Sequence, residues 1–106
     1  MNRGDVFWVN FDPAIGSEIQ KKRPAVIVSN NQNNTYMNRV QVLPITSNVN
    51  RVYPCETLVM VADKQGKALA DQITTVDKSR FGGFICSLNE VEIANIGKII
   101  KLQLDL

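Results

Sequence analysis

Lys21-Lys22-Arg23-Pro24-Ala25-Val26-Ile27-Val28-Ser29-Asn30 is the stretch from which the rest of the chain is read. Val26, Ile27 and Val28 are β-branched, and stiff branched side chains suit a pleated, buried surface. Pro24 has no N–H to donate to a ladder, so it belongs at the first residue or the edge of that strand. Three adjacent cations therefore stand where a loop enters a rigid sheet. That is a place to hold a charge in fixed orientation, or simply a solvated basic loop feeding a core strand.

Outward from this strand, the chain is punctuated by breakers. Asp5 to Phe11 reads as a first strand, ended by Asp12-Pro13, because the residue before proline is pushed out of helix. A polar loop, 14–22, carries Gly16-Ser17-Glu18, and a loop of that length in a small domain is often functional. After the central strand, 24–29, the Asn-rich run Asn30-Asn31-Gln32-Asn33-Asn34 predicts a loop or a turn of helix, because Asn bonds its own backbone. Val40-Gln41-Val42-Leu43-Pro44-Ile45 is a third strand, with Pro44 placing its end at an edge or bulge. A second polar, basic loop follows: Thr46-Ser47-Asn48, then Asn50 and Arg51. A fourth strand runs from Thr57 to Val61, and Asp63-Lys64-Gln65-Gly66 is a turn. Residues 68–76 read as one strand or two with a bend, and 77–80 as a polar turn. Gly82-Gly83 precedes a last short strand at 84–86.

Ser87-Leu88-Asn89-Glu90 predicts a capping box, and a helix from about Leu88 to Leu102 with Ile93, Ile96 and Ile100 on its core face. Five to seven short strands and one terminal helix predict a single domain over 1–106. Its class is mainly β with a C-terminal helix, as a small SH3-like barrel. The helix would cover an edge of the sheet.

Composition narrows the function. Of the 106 residues 44% are hydrophobic and 21% charged, the profile of an ordinary globular protein. No apolar run is long enough to span a bilayer, and the N-terminus lacks the apolar core of a signal peptide, so a cytoplasmic location is expected. The net charge of +2 is mild, but residues 1–54 hold six Lys/Arg against three Asp/Glu, an anion-attracting half. There is no His, which removes the usual acid–base residue. With only Cys55 and Cys86 besides, no metal site and no cofactor are expected, and both thiols read as reduced and structural.

If strands two and three are antiparallel neighbours, the start of one lies beside the end of the other. Arg23 and Thr46 would then share one rim of the sheet. A guanidinium fork matches phosphate oxygens, and Thr46 and Ser47 add hydroxyls and N–H groups. The pair describes a phosphate-binding pocket.

At these residues the chain resembles the MazF/PemK toxins of bacterial toxin–antitoxin systems, over essentially its whole length. The resemblance is carried by Arg3-Gly4-Asp5-Val6, Asp12-Pro13, Gly16-Ser17-Glu18, Arg23 through Asn30, Pro44-Ile45-Thr46-Ser47, and Ala70-Asp71-Gln72 running into Thr75 through Arg80. It implies a metal-independent endoribonuclease that cuts single-stranded RNA at short motifs, on the barrel fold shared with CcdB. It implies a homodimer and an antitoxin with a disordered acidic tail. The matching catalytic positions are Arg23 and Thr46. Some relatives carry a His in the first loop and an Arg before the Asp-Gln pair, where this chain has Ser17 and Leu69. The expected chemistry is attack of a ribose 2′-hydroxyl on the adjacent phosphate, which selects RNA over DNA.

Glu18 and Asp71 are candidate RNA contacts and proton acceptors, and can equally be structural or loop hydrogen bonders. Ser17, Lys21, Lys22, Ser47, Asn48, Arg51, Gln72, Lys78 and Arg80 are candidate RNA contacts, several of which can equally be solvated surface. Two other readings compete. A CcdB-like gyrase poison relies on a Trp-Gly-Ile type C-terminus, whereas this chain ends Gln103-Leu104-Asp105-Leu106 and has its one Trp at position 8. A non-catalytic RNA-binding barrel, or a decayed toxin, would hold single strands without cutting, but only 7% of residues are aromatic and stacking platforms need more.

Overall fold

The computed structural model describes residues 1–106. The order is β1 (Asp5–Asn10), β2 (Lys22–Ile27), α1 (Asn31–Tyr36), β3 (Arg39–Thr46), β4 (Glu56–Val61), β5 (Lys64–Leu69), β6 (Thr74–Asp77), β7 (Phe81–Ser87) and α2 (Glu90–Leu104). Short 3₁₀ turns at 70–72 and 78–80 flank β6. The strands form one bent sheet in the order β4-β5-β3-β2-β1-β7, with β6 also paired to β3. Every pairing is antiparallel. The predicted mainly-β domain with a C-terminal helix is thus present, as an open half-barrel.

The continuous apolar run of β2 follows from its central place. Its alternate side chains feed two different cores, so neither face is free to be polar. Val26 joins Val6, Leu43, Ile45, Val59 and the helix residues Ile96 and Ile99 on one side. Ala25 and Ile27 join Val9, Phe11, Val40, Val42 and Val76 on the other. Ile93 and Ile100 pack against the helix-side core, as their spacing predicts, and Ile99 adds a contact that the spacing argument omitted.

Both prolines of the central strands are paired on one side of the strand, Pro24 with Trp8 and Pro44 with Ala25, and unpaired on the other. Pro24 precedes the β2–β3 ladder, which begins at Ala25. Pro44 lies within β3, not at its end, in the gap where that strand leaves β6 after Val42 and takes up β5 at Ile45. The Asn-rich run forms the helical turn α1, with Asn30 as N-cap accepting from the Asn33 N–H. A buried network holds it: Asn34 is bonded to Ser29, and the Lys78 ammonium donates to the Asn34 carbonyl at 2.6 Å.

Three local expectations are corrected. The capping box is two residues later, with Asn89 as cap and Glu92 as its reciprocal partner. Ser87 is the last residue of β7, opposite Asp5, and its hydroxyl donates to the Asp5 carboxylate at 2.7 Å instead. The turn expected at 63–66 is a tighter hairpin on Ala62 and Asp63, both left-handed at φ 48° and 68°. Lys64, Gln65 and Gly66 are therefore strand residues. The last strand also begins earlier than the expected 84–86, taking in Gly82 and Gly83.

Gly66 is required by close approach rather than by a turn. A Cβ there would stand 2.7 Å from Ile45 Cγ2 and 3.1 Å from the Thr46 carbonyl oxygen. Gly66→Ala must push β5 away from β3, and overpacking of this kind costs about 1–3 kcal/mol. Chemical denaturation should show that loss; a midpoint equal to the parent's would mean that the β3–β5 seam is looser than described.

Candidate functional site

The β2–β3 register pairs Ala25 with Pro44, Val26 with Leu43 and Ile27 with Val42. Continued by two residues, it sets Arg23 opposite Thr46, on the face that carries Ala25 and Ile27. Both line a single cleft of about 440 Å³, with Trp8, Lys22, Ser47, Lys64 and Gln65 among its other walls. Three cations and no carboxylate line this cleft. An anion entering it meets attraction without a competing negative charge.

The two central side chains are oriented by their own local bonds. Arg23 is half-buried, and its Nε donates to the Gln20 carbonyl at 2.9 Å, which leaves the terminal nitrogens of the fork free. Thr46 Oγ1 accepts from the Asn48 N–H at 3.3 Å, so the hydroxyl proton is free to donate to an anionic oxygen. Arg23 can thus present a bidentate face, and Thr46 a single donor, to one phosphate.

The other sequence-predicted residues divide. Ser17, Glu18, Asp71, Gln72 and Arg80 line a second cleft of about 540 Å³, together with Asn10, Thr74 and Thr75. There Gln72 clamps the loop between β1 and β2: its carbonyl accepts from Ile19 N at 3.4 Å and its amide donates to Ser17 O at 3.5 Å. Glu18 is turned inward on its own loop, accepting from Ile15 N at 2.7 Å. Arg80 donates to the carbonyls of Asn10 and Asp12 at 3.3 and 2.8 Å. A narrower groove of about 260 Å³ touches both, sharing Trp8 and Lys22 with the first cleft and Asn10 and Arg80 with the second. The candidate proton acceptors Glu18 and Asp71 are thus not brought to Arg23 and Thr46.

Lys21, Asn48, Arg51 and Lys78 line neither cleft. Lys21 is exposed in a left-handed conformation, its N–H bonded to Asp12. Arg51 lies over the Tyr53 ring at 5.7 Å, and Lys78 is spent on α1. Leu69 is buried at the end of β5. The sequence reading missed Trp8, Lys64 and Gln65. Trp8 could have been found as the cross-strand partner of Pro24, and the other two from the true hairpin position.

Lys67 was missed as well. It stands opposite Thr46 in the β3–β5 ladder and is only 8% exposed. Its ammonium is 2.9 Å from Glu56 Oε1, 2.7 Å from the Arg51 carbonyl oxygen and 5.7 Å from the centre of the Tyr53 ring. Burial pushes the Glu56 carboxyl up. The hydrogen bonds from Lys67 and Tyr53 N–H, with the Lys67 charge, outweigh it and hold the group below its ordinary value.

Cys55 Sγ and one carboxylate oxygen each of Glu56 and Asp71 lie within 4.8 Å of one another, the one grouping with metal-ligand types. Its Glu56 is already neutralised by an ammonium, and a thiol with two carboxylates, no imidazole and that adjacent cation is a poor match to a divalent ion.

A family model described as PemK-like, MazF-like toxin of type II toxin–antitoxin system matches residues 2–104. Endoribonuclease MazF9 of Mycobacterium tuberculosis is 36% identical over 115 residues, covering 100% of this chain and 98% of that protein. Endoribonuclease MazF of Staphylococcus saprophyticus is 32% identical over 111 residues, covering 100% and 92%. Among solved structures, MazF from Deinococcus radiodurans superposes with a TM-score of 0.89 at 26% identity, covering 100% of this chain and 97% of that one.

The Glu56–Lys67 pair has a pH signature. Because the folded carboxyl is held below its ordinary value of 4.5, its contribution is present above that value and lost as pH falls through the folded one. Glu56→Gln should cost about 1.5–3 kcal/mol at pH 7, the range for a hydrogen bond to a charged group. Thermal melts at descending pH should show the gap between parent and variant closing below pH 4.5; a gap that stays constant would mean that the ion pair carries none of it.

Proposed function

Because this chain belongs to the PemK-like, MazF-like toxin family of type II toxin–antitoxin systems, we propose that it is an endoribonuclease toxin that cuts single-stranded RNA and is neutralised by a cognate antitoxin. The observation that carries the catalytic reading is the shared cleft, where Arg23 and Thr46 stand with Lys22 and Lys64 and without a carboxylate. The relatives' names favour RNA over gyrase as the target.

The scissile phosphate sits between the Arg23 fork and the Thr46 hydroxyl. The ribose 2′-oxygen forms a bond to phosphorus, and the bond from phosphorus to the 5′-oxygen of the next nucleotide breaks. The products are a 2′,3′-cyclic phosphate and a 5′-hydroxyl. With no carboxylate in the cleft, the 2′-hydroxyl proton passes to solvent, and the leaving oxygen takes one from solvent. Arg23 acts through its fixed charge and its fork of donors, not as the acid that protonates the leaving oxygen. Its work is to stabilise the extra charge of the pentavalent phosphorane, as a preorganised donor already anchored through Nε. The nucleophile belongs to the substrate, so no metal-bound water is needed to supply it, and DNA, which lacks the 2′-hydroxyl, is spared.

The second cleft, with Ser17, Asp71, Gln72 and Arg80, supplies edges for reading unstacked bases on either side of the cut. The cations of the first cleft suit the acidic, disordered antitoxin tail that competes with RNA for it. Family membership further supports a homodimer acting in the cytoplasm; no helix is long and apolar enough to cross a membrane.

Mapping the 5′ ends of a long transcript incubated with the protein in EDTA tests the reading. Arg23→Ala should lower cleavage by about 10²–10³-fold, the usual loss for one transition-state donor, with the melting temperature kept close to the parent's. A transcript carrying 2′-deoxyribose at the cut site should stay intact. Native-rate cutting by folded Arg23→Ala would remove Arg23 from the mechanism.

A further inference from the structure

The loop from Ser47 to Cys55 leaves β3 at Thr46 and re-enters the sheet at Glu56. It has few apolar holds of its own: Val52 and Tyr53 are exposed and Cys55 is half-buried. What ties it down comes from β5. Lys67 reaches under it, donating to the Arg51 carbonyl at 2.7 Å and to Glu56 at 2.9 Å, with the Tyr53 ring 5.7 Å from its nitrogen. Glu56 Oε1 in turn accepts from Tyr53 N at 2.9 Å, and Tyr53 O accepts from Glu56 N at 2.9 Å. One buried ammonium therefore joins both ends of the loop's second half to the strand that stands beside Thr46.

The geometry points to Lys67 as a positioning residue for RNA selection: its buried ammonium sets the shape in which the 47–55 loop presents Ser47 and Asn48 beside the Arg23–Thr46 cleft. This rests on the endoribonuclease reading. Lys67 itself touches no substrate: it is only 8% exposed, two of its donors go to the Arg51 carbonyl and Glu56, and its nitrogen stands 5.7 Å from the Tyr53 ring centre. An apolar residue of the same length would fill the space and break the tie. A buried ion pair replaced as a whole by apolar side chains is often neutral for stability, so the effect on the loop is separable from the effect on the fold.

The experiment compares the parent, Lys67→Arg, Lys67→Met and the double variant Lys67→Met/Glu56→Met, which removes both charges and guards against misfolding of the single one. In the folded double variant, amide exchange across residues 50–56 should quicken by at least about tenfold, the expected result of losing a local anchor. On a short oligonucleotide KM should rise about tenfold with a smaller change in kcat, the pattern of lost binding rather than lost chemistry. End mapping on a long transcript should show cuts at sequences that the parent leaves intact. Lys67→Arg, which keeps a donor to both oxygens, should restore the parent's cutting pattern. Unchanged exchange, or unchanged cut sites and KM in a folded double variant, would overturn the inference. If the parent leaves RNA uncut, the endoribonuclease reading falls, and the exchange measurement alone decides whether Lys67 shapes the loop.

Discussion

Three antiparallel pairs, Ala25 with Pro44, Val26 with Leu43 and Ile27 with Val42, decide where every group at the cleft stands. A slip of one residue would send Arg23 to the face of Pro24 and away from Thr46. That slip is forbidden by the cores. β2 has apolar side chains on both faces, but of different sizes and toward different partners, so its register is read twice. The placing of Arg23 beside Thr46 is thus a by-product of core packing.

Positive charge is used in two opposite ways within a few residues of Thr46. Arg23, Lys22 and Lys64 line an open cleft and meet no carboxylate there. Lys67, on the neighbouring strand, is almost wholly buried and is paired with Glu56 and the Arg51 carbonyl. The first arrangement leaves electrostatic attraction unspent for an anionic substrate; the second spends all of it internally. The separation matters because a buried carboxylate facing the cleft would compete with phosphate for the same guanidinium.

Much of this was legible in the residues. A β-branched run behind a proline is hard to read as anything but an entering strand, and sequential strands tend to pair, which is enough to bring Arg23 and Thr46 together. The failures have physical causes. The hairpin at Ala62 and Asp63 lacks the glycine or asparagine that marks such turns, so the visible Gly66 drew the turn two residues too far. Two overlapping frames, Ser87 to Glu90 and Asn89 to Glu92, both fit a capping box, and only the pairing of Ser87 with Asp5 in the sheet decides between them. The division of the candidate RNA contacts between two clefts depends on how the sheet bends, and periodicity does not encode that. Lys67 reads as one more surface lysine until residues 51 to 56 close over it.

The two faces of β2 are unequally covered. The helix α2 seals one, while the other receives from residues 14–21 only the side chain of Ile19, with the Gln72 amide as a second hold. Lifting that segment exposes little oil and leaves the helix-side core untouched. The carbonyl that anchors Arg23, that of Gln20, belongs to this same lightly held segment, so the orientation of the guanidinium and the wall of the second cleft both hang on one short stretch of chain.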